Sequence, residues 1–343
     1  MAALNEENFF FFLPCDRTAA TTAYSAIIRT VFLLQNGRQL PFGHEERGGM
    51  TSTRARYLLF FQYLGTRYSG VMKTPPHQPV TGVENHLENA VKRLKPINEV
   101  SFCISSRTDT GVHALCNSAH VDIQRKSDKP PFTEQVLTKA LNFHLRTEPI
   151  SVIKTLCVPD TFHARYRAIS RTYVYRVATG VSHYSQLPLP EKNFCWPLQD
   201  TELDVKAMEE ASGLLLGKHN FSSFCALNSE TPFKNPVKTL LHAHLDLRQG
   251  SFCQEHFHRD LCYWEFTFRS RSFLYKQVRR MTGALVAVGQ KKLSVSQLRE
   301  ILEAKDSLAY PQNMTAPAEG LFLTNVEYKK SDLLPHLPEW ERT

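Results

Sequence analysis

The chain has 343 residues, with 41 Lys and Arg against 33 Asp and Glu, giving a formal charge of +8. Its length suggests about two domains. Hydrophobic residues at 42% and charged residues at 22% exclude a chain that is mostly disordered, collagenous or coiled coil. No run of about 18 apolar residues exists, which excludes a spanning helix, and the basic excess is a modest pull toward an anionic partner.

Residues 1–49 differ from the rest. They hold four Arg, five acids and no Lys, a net of −1, leaving +9 for the remainder. Phe9 to Phe12 form an aromatic run. From Arg17 to His44 there are three Arg and no acid, with Ile27, Val31 and Leu34 at helical spacing. That pattern is like a mitochondrial transit segment, although Glu6, Glu7 and Asp16 upstream count against it. Met50 as the start normally used, or a disordered tail, are the alternatives. No secretory signal opens the chain, and none of the eight Cys forms a C-x-x-C pair, so free thiols are expected. His242 with His244, and His256 with His258, are i, i+2 pairs that fit an exposed strand face better than a metal site.

After Met50, strand and helix patterns alternate. Tyr57 to Tyr63 reads as a strand, and Gly65 and Gly70 bracket a loop. Thr81 and Glu84 form a predicted capping box ahead of a helix carrying Val83, Leu87, Val91 and Leu94. Phe102 to Ser105 and Ser118 to Ile123 read as strands around a turn. Thr133 caps a helix with Val136, Leu137, Ala140, Leu141 and His144 on one side, and Ser151 to Cys157 is another strand. A second set follows: a strand at Thr172 to Ala178, a helix capped by Asp204, strands at Leu240 to Leu247 and Tyr263 to Ser270, and a helix over Phe273 to Val288. A helix capped by Ser294 with Gln297 and a strand at Leu321 to Tyr328 close the chain, and Pro188, Pro190 and Pro197 mark the connection between the sets. The expected fold is α+β: two related α/β halves, with largely antiparallel sheets and helices on one face. The expected boundaries are an extension at 1–53, halves at 54–160 and 161–330, and a tail at 331–343.

Three segments have residue types suited to chemistry. In Ser105 to Ala114, Asp109 sits in a turn where backbone N–H groups can keep a carboxylate ionised, with Gly111 for a left-handed angle and Arg107 two residues away. An Asx-turn with a solvated Arg fits the same spacing. From Thr161 to Pro190 there is no acid, but four Arg and two His among aromatics, a composition that suits nucleic acid. There Tyr173 and Tyr175 share one strand face, which an inward core pair would also produce. In Phe273 to Gly283, Lys276, Arg279 and Arg280 occur without an acid, either as a solvated face or with Arg279 reaching from a flank into a cleft.

Taken together, these segments resemble the TruA family of tRNA pseudouridine synthases. The family loop Tyr-x-Gly-Thr-x-Tyr-x-Gly is seen at Tyr63 to Gly70, and Arg-Thr-Asp-x-Gly-Val-His-Ala at Arg107 to Ala114. Phe-His-Ala-Arg and Arg-x-Tyr-x-Tyr are seen at Phe162 to Arg165 and Arg171 to Tyr175. Gly-x-His-x-Phe-x-x-Phe is at Gly217 to Phe224, Phe-Leu-x-x-x-Val-Arg at Phe273 to Arg279, and Ala-Pro-Ala-x-Gly-Leu at Ala316 to Leu321. The likeness spans roughly Arg56 to Tyr328 and is greatest to a eukaryotic synthase-like branch.

The resemblance implies isomerisation of uridine to pseudouridine in tRNA, a homodimer, a basic RNA-binding cleft between the two halves, and no cofactor or metal. It implies that Asp109 is the essential aspartate, Tyr173 the tyrosine that contacts the target base, and Arg279 the basic partner of the aspartate. Arg107 matches the arginine that assists base flipping; His113, Arg165 and Lys276 are the further candidates for RNA contact. The chain departs from the family pattern in two places. Val71-Met72 stands where Trp-Gln is usual after Gly70, and Ser106 where Gly is usual before Arg107. A catalytically silent RNA binder on the same fold is the competing reading. A metal-dependent nuclease would want clustered carboxylate or His ligands, which the sequence spacing does not supply.

Overall fold

A computed structural model describes residues 54–126, 129–199, 201–229, 231–248 and 258–334. The readings made for residues 1–49, and for Cys15, Cys253 and His256, fall outside the described residues.

Period-two alternation builds β1, Arg54–Tyr63: Tyr57, Leu59, Phe61 and Tyr63 enter the main core, while Leu58 points to a small cluster on the other side. The other strands are β2 (Phe102–Ile104), β3 (His113–Gln124), β4 (Ile150–Val158), β5 (Ala168–Val181), β6 (Trp196–Gln199), β7 (Gly217–Asn220), β8 (Val237–Arg248), β9 (Cys262–Ser270) and β10 (Leu321–Tyr328). The helices of four residues or more are α1 (Val83–Lys92), α2 (Glu134–Leu145), α3 (Val205–Leu214), α4 (Gln277–Gly289), α5 (Val295–Ala304) and α6 (Lys330–Leu333).

All ten strands join one sheet, in the order β4-β1-β3-β10-β5-β9-β8-β7, with β2 beside β3 and β6 beside β5. The pairings are antiparallel except β3–β10 and β5–β6. The mixed α+β class is as expected, but the strands of the two sets share a single sheet. The last strand lies between them: Phe322 pairs with His113 in parallel register and Val174 in antiparallel register. The apolar stripes of α1 to α5 enter the same buried cluster as Tyr57, Phe61, Tyr175 and Phe268, so these helices cover one face of the sheet.

Local signals differ from expectation at three places. The first helix is capped at Gly82, whose N–H is accepted by the Asn85 side chain (3.0 Å). Thr81 bonds His86 instead, and the Glu84 carboxylate accepts the Lys73 N–H (2.9 Å). The helix expected from Phe273 begins only at Gln277, because Lys276 takes a left-handed φ of 55°. Finally, Trp196–Gln199 and Gly217–Asn220 are strands at the edges of the pairing scheme, too short to show periodicity, and Pro197 is tolerated because β6 pairs on one side only.

Candidate active site

Asp109 lies on the loop between β2 and β3. Gly111 adopts φ +79°, and the Asp109 carbonyl accepts the Val112 N–H (3.1 Å). The carboxylate itself meets no backbone N–H among the described residues, so the expected amide cradle is not what holds it. The loop is held from behind. The Thr108 hydroxyl meets the Tyr63 hydroxyl (2.7 Å), the Thr108 carbonyl accepts the Val71 N–H (3.2 Å), and Asn117 donates to the Ser106 carbonyl (2.9 Å). Burial pushes the Tyr63 phenol up to about 12, so it stays protonated, and its oxygen also accepts from the Asn117 amide (3.4 Å). Gly70 has φ +103°, and a Cβ there would stand 2.6 Å from the Thr108 carbonyl. A glycine is therefore needed for this loop to reach the Asp109 loop.

Arg171 is the principal tie between segments, and sequence reasoning missed it. Its buried guanidinium donates to the Ser105 carbonyl (3.1 Å) and hydroxyl (3.0 Å), the Ser106 hydroxyl (3.2 Å), the Arg165 carbonyl (2.8 Å) and the Arg271 carbonyl (2.6 Å). One side chain so joins the loop before Asp109, the segment after β4 and the end of β9. Its signal in the sequence was its place two residues before Tyr173 on the same strand face. Ser106, one of the two departures, supplies a hydroxyl to this clamp.

The third segment approaches from α4. Arg279 Nη1 lies 3.9 Å from Asp109 Oδ2, and its Nε donates to the Ala316 carbonyl (2.7 Å). Burial raises the Asp109 carboxyl above its ordinary value; Arg279 and then Lys276 pull it back down. If the ionised carboxylate does the chemistry, activity must fall as pH drops through that raised value. Replacing Arg279 by Gln removes the largest opposing influence, so the acid limb of kcat/KM against pH should move to higher pH, as read from rates across a buffer series. An unmoved limb would separate the two groups.

These residues line one open pocket of about 860 Å³, together with Arg107, Arg165, Tyr173, Phe273 and Lys276. Tyr173 is 7% exposed and meets Phe273 edge-on at 5.2 Å; burial raises its hydroxyl well above the usual phenol range. Tyr175, its strand-face partner, is core and donates to the Pro317 carbonyl (2.8 Å). Both tyrosines belong to the main buried cluster, and of the two only Tyr173 also lines the pocket. Arg107 and Arg165 are exposed at the pocket. Lys276 stands before α4, not on it.

His113 is placed apart from the pocket lining. It is fully buried, accepts the Gly65 N–H (3.0 Å) and bonds the Asn193 carbonyl (3.0 Å), while Phe322 stacks on it at 4.7 Å. Both ring nitrogens are engaged at the seam where β10 joins β3. Val71 is also fully buried, and Met72 reaches the pocket, so of the two residues replacing Trp-Gln only the second faces it.

The six described cysteines are free thiols. Among the described residues, one group has metal-ligand types within reach of each other: Cys103, His120 and His163, with donor atoms within 4.8 Å. Sequence spacing did not reveal it because β2, β3 and the segment after β4 each supply one member. Its chemistry does not fit a metal. His120 Nδ1 accepts the Ala164 N–H (3.0 Å), and His163 Nδ1 accepts the Arg165 N–H (3.2 Å). Each neutral ring therefore carries its proton on Nε2, the nitrogen left for a metal. His242 and His244 share a face of β8 with rings 5.8 Å apart, and His244 pairs with Asp246 at 3.1 Å.

A sequence profile of a family described as tRNA pseudouridine synthase matches residues 59–167 and 211–329. The chain belongs to the TruA family of tRNA pseudouridine synthases. A tRNA pseudouridine synthase-like 1 of Xenopus laevis is 56% identical over 284 residues, covering 83% of this chain and 95% of the relative. The Homo sapiens protein of that name is 49% identical over 278 residues, 81% of this chain and 91% of its own. A tRNA pseudouridine synthase A of Paramagnetospirillum magneticum is 36% identical over 276 residues, 80% and 96% of the two chains. Both matched stretches carry site residues: the first spans Arg107, Asp109 and Arg165, the second Lys276 and Arg279. This synthase is an isomerase of class EC 5.4.99.

Proposed function

We propose that the synthase isomerises uridine in tRNA at this pocket, with Asp109 as the reacting carboxylate. The observation that carries the assignment is that Asp109 is the sole carboxylate among the described residues lining the pocket, against eight Lys and Arg. A basic lining attracts the phosphate backbone. Asp109 is the exception in that lining, with Arg279 beside it.

The reaction exchanges the N1–C1′ bond for a C5–C1′ bond; the C5 proton leaves and N1 gains one, so atoms balance without a co-reactant. The Asp109 carboxylate attacks or stabilises C1′, or abstracts a sugar proton, and afterwards assists the loss of the C5 proton. Arg279 favours its ionised form and fixes its direction. The Tyr173 and Phe273 rings form an apolar wall against which the detached uracil can rest. The uridine must leave its stack to arrive there, and in this reading the exposed Arg107, two residues from Asp109, fills the vacated space or holds the phosphate beside it.

A phosphate contact makes a specific prediction for Arg107→Ala. The affinity for tRNA should weaken, and the slope of log K against log salt should fall by about 1, as measured by filter binding from low to moderate salt. An unchanged slope would remove Arg107 from the phosphate path. The same reading proposes a homodimer, tested by sedimentation, and mitochondrial import directed by residues 1–49, tested by fusing them to a reporter.

A further inference from the structure

His163 is fixed on several sides. Its Nδ1 accepts the N–H groups of Arg165 (3.2 Å) and Tyr166 (3.4 Å), its Nε2 faces Cys103 Sγ at 3.4 Å, and its ring meets His120 edge-on at 5.0 Å. Against this anchored ring lies Tyr166, with centroids 4.2 Å apart and planes 32° from parallel. Yet Tyr166 is 69% exposed and lines the pocket that holds Asp109. A large aromatic left in water costs hydrophobic free energy. Here it is also held in one orientation by a neighbour that is itself held, which is how a binding surface is prepared in advance of its ligand.

We propose that Tyr166, backed by His163, is a stacking platform for an unpaired base of the tRNA next to the uridine entering the pocket. The proposal rests on the synthase reading above, and it gives the Cys103, His120 and His163 group a role: the group orients the platform. The chemistry favours a base over a phosphate at this spot. Burial lowers His163, and burial with the Arg56 charge lowers His120 to about 4, so both rings are neutral at neutral pH and offer a π-face. Stacking suits any base, because each has one. Arg165, with its guanidinium 5.9 Å from the Tyr166 centroid, is the nearby cation suited to the backbone.

The test compares the full-length wild type, Tyr166→Ala and Tyr166→Phe for tRNA binding over a salt series and for pseudouridine formation. Tyr166→Ala should weaken binding by roughly five- to a hundred-fold with the salt slope unchanged, and Tyr166→Phe should stay within about twofold of wild type. Thermal unfolding should be the same for all three, since the residue is exposed. Wild-type affinity in Tyr166→Ala, a salt slope reduced as for a phosphate contact, or equal losses in Ala and Phe would each overturn the proposal. Failure of the wild type to form pseudouridine in a tRNA pool would instead sink the synthase reading, a result these variants cannot mimic.

Discussion

Asp109→Asn should abolish conversion while leaving tRNA binding intact. Asn keeps the size and hydrogen-bonding reach of Asp and removes only the charge, so the loop held by Thr108, Asn117 and Arg171 has no reason to move. What is lost, on the proposed mechanism, is the group that attacks or abstracts. The expected fall in kcat is roughly a thousandfold or more, while tRNA affinity should hold or improve, because one negative charge has left a basic pocket. Stability should move the opposite way to activity. The Asp109 carboxyl is raised above its ordinary value mainly by burial, so the folded state holds its proton more tightly than the unfolded one. Stability from this group therefore grows as pH falls through the folded value, and at neutral pH the ionised carboxylate is a net cost. Asp109→Asn should be at least as resistant to urea as the wild type at neutral pH, with any advantage vanishing in acid. A destabilised Asp109→Asn protein would mean that Arg279 binds the carboxylate more strongly than burial penalises it. Such an opposition between function and stability is expected where a charge is kept in a partly dry site.

Arg171→Met should be the most damaging change outside the reacting groups. Methionine matches much of the volume but donates nothing, leaving the carbonyls of Ser105, Arg165 and Arg271 without the donor that now serves them. The Ser105 carbonyl is buried, and an orphaned buried acceptor costs about 1–3 kcal/mol; the partly buried Arg165 and Arg271 carbonyls add less, for an expected total of about 2–4 kcal/mol, seen as a lower urea midpoint. The protein that still folds should also be slow, because Ser105 and Ser106 lead directly into Arg107 and Asp109. Arg171→Lys should recover part of the stability but little of the rate, since an ammonium cannot reproduce a planar fork reaching three segments. A Met variant as stable and active as wild type would show that the clamp is dispensable.

Much of this was legible in the residues because it is written in short-range patterns. The alternation in Thr172 to Ala178 located β5 and put Tyr173 on a definite face. The residue types around Asp109 singled out its turn, and the likeness to a family then raised that turn above an ordinary Asx-turn. What could not be read depends on contacts between distant segments. The insertion of β10 between β3 and β5 is a long-range choice, and it is the reason His113 is a seam residue and not part of the pocket lining. Arg171 looks in sequence like one more basic residue of a nucleic-acid strand; only folding shows its charge turned inward to three carbonyls. Cys103, His120 and His163 are 17 and 43 positions apart in the chain, so no spacing rule could group them. Lys276 was placed on the helix because its periodicity continues through it, whereas the backbone turns left-handed there before α4 begins.

The central claim is that Asp109 drives uridine isomerisation in tRNA, and tritium release from tRNA labelled at uridine C5 tests it most directly, because the C5 proton must leave for the new bond to form. The wild type should release tritium in equal amount to the pseudouridine formed, and Asp109→Asn should release none. No release by the wild type from a complete tRNA pool, or equal release by the two proteins, would contradict the account.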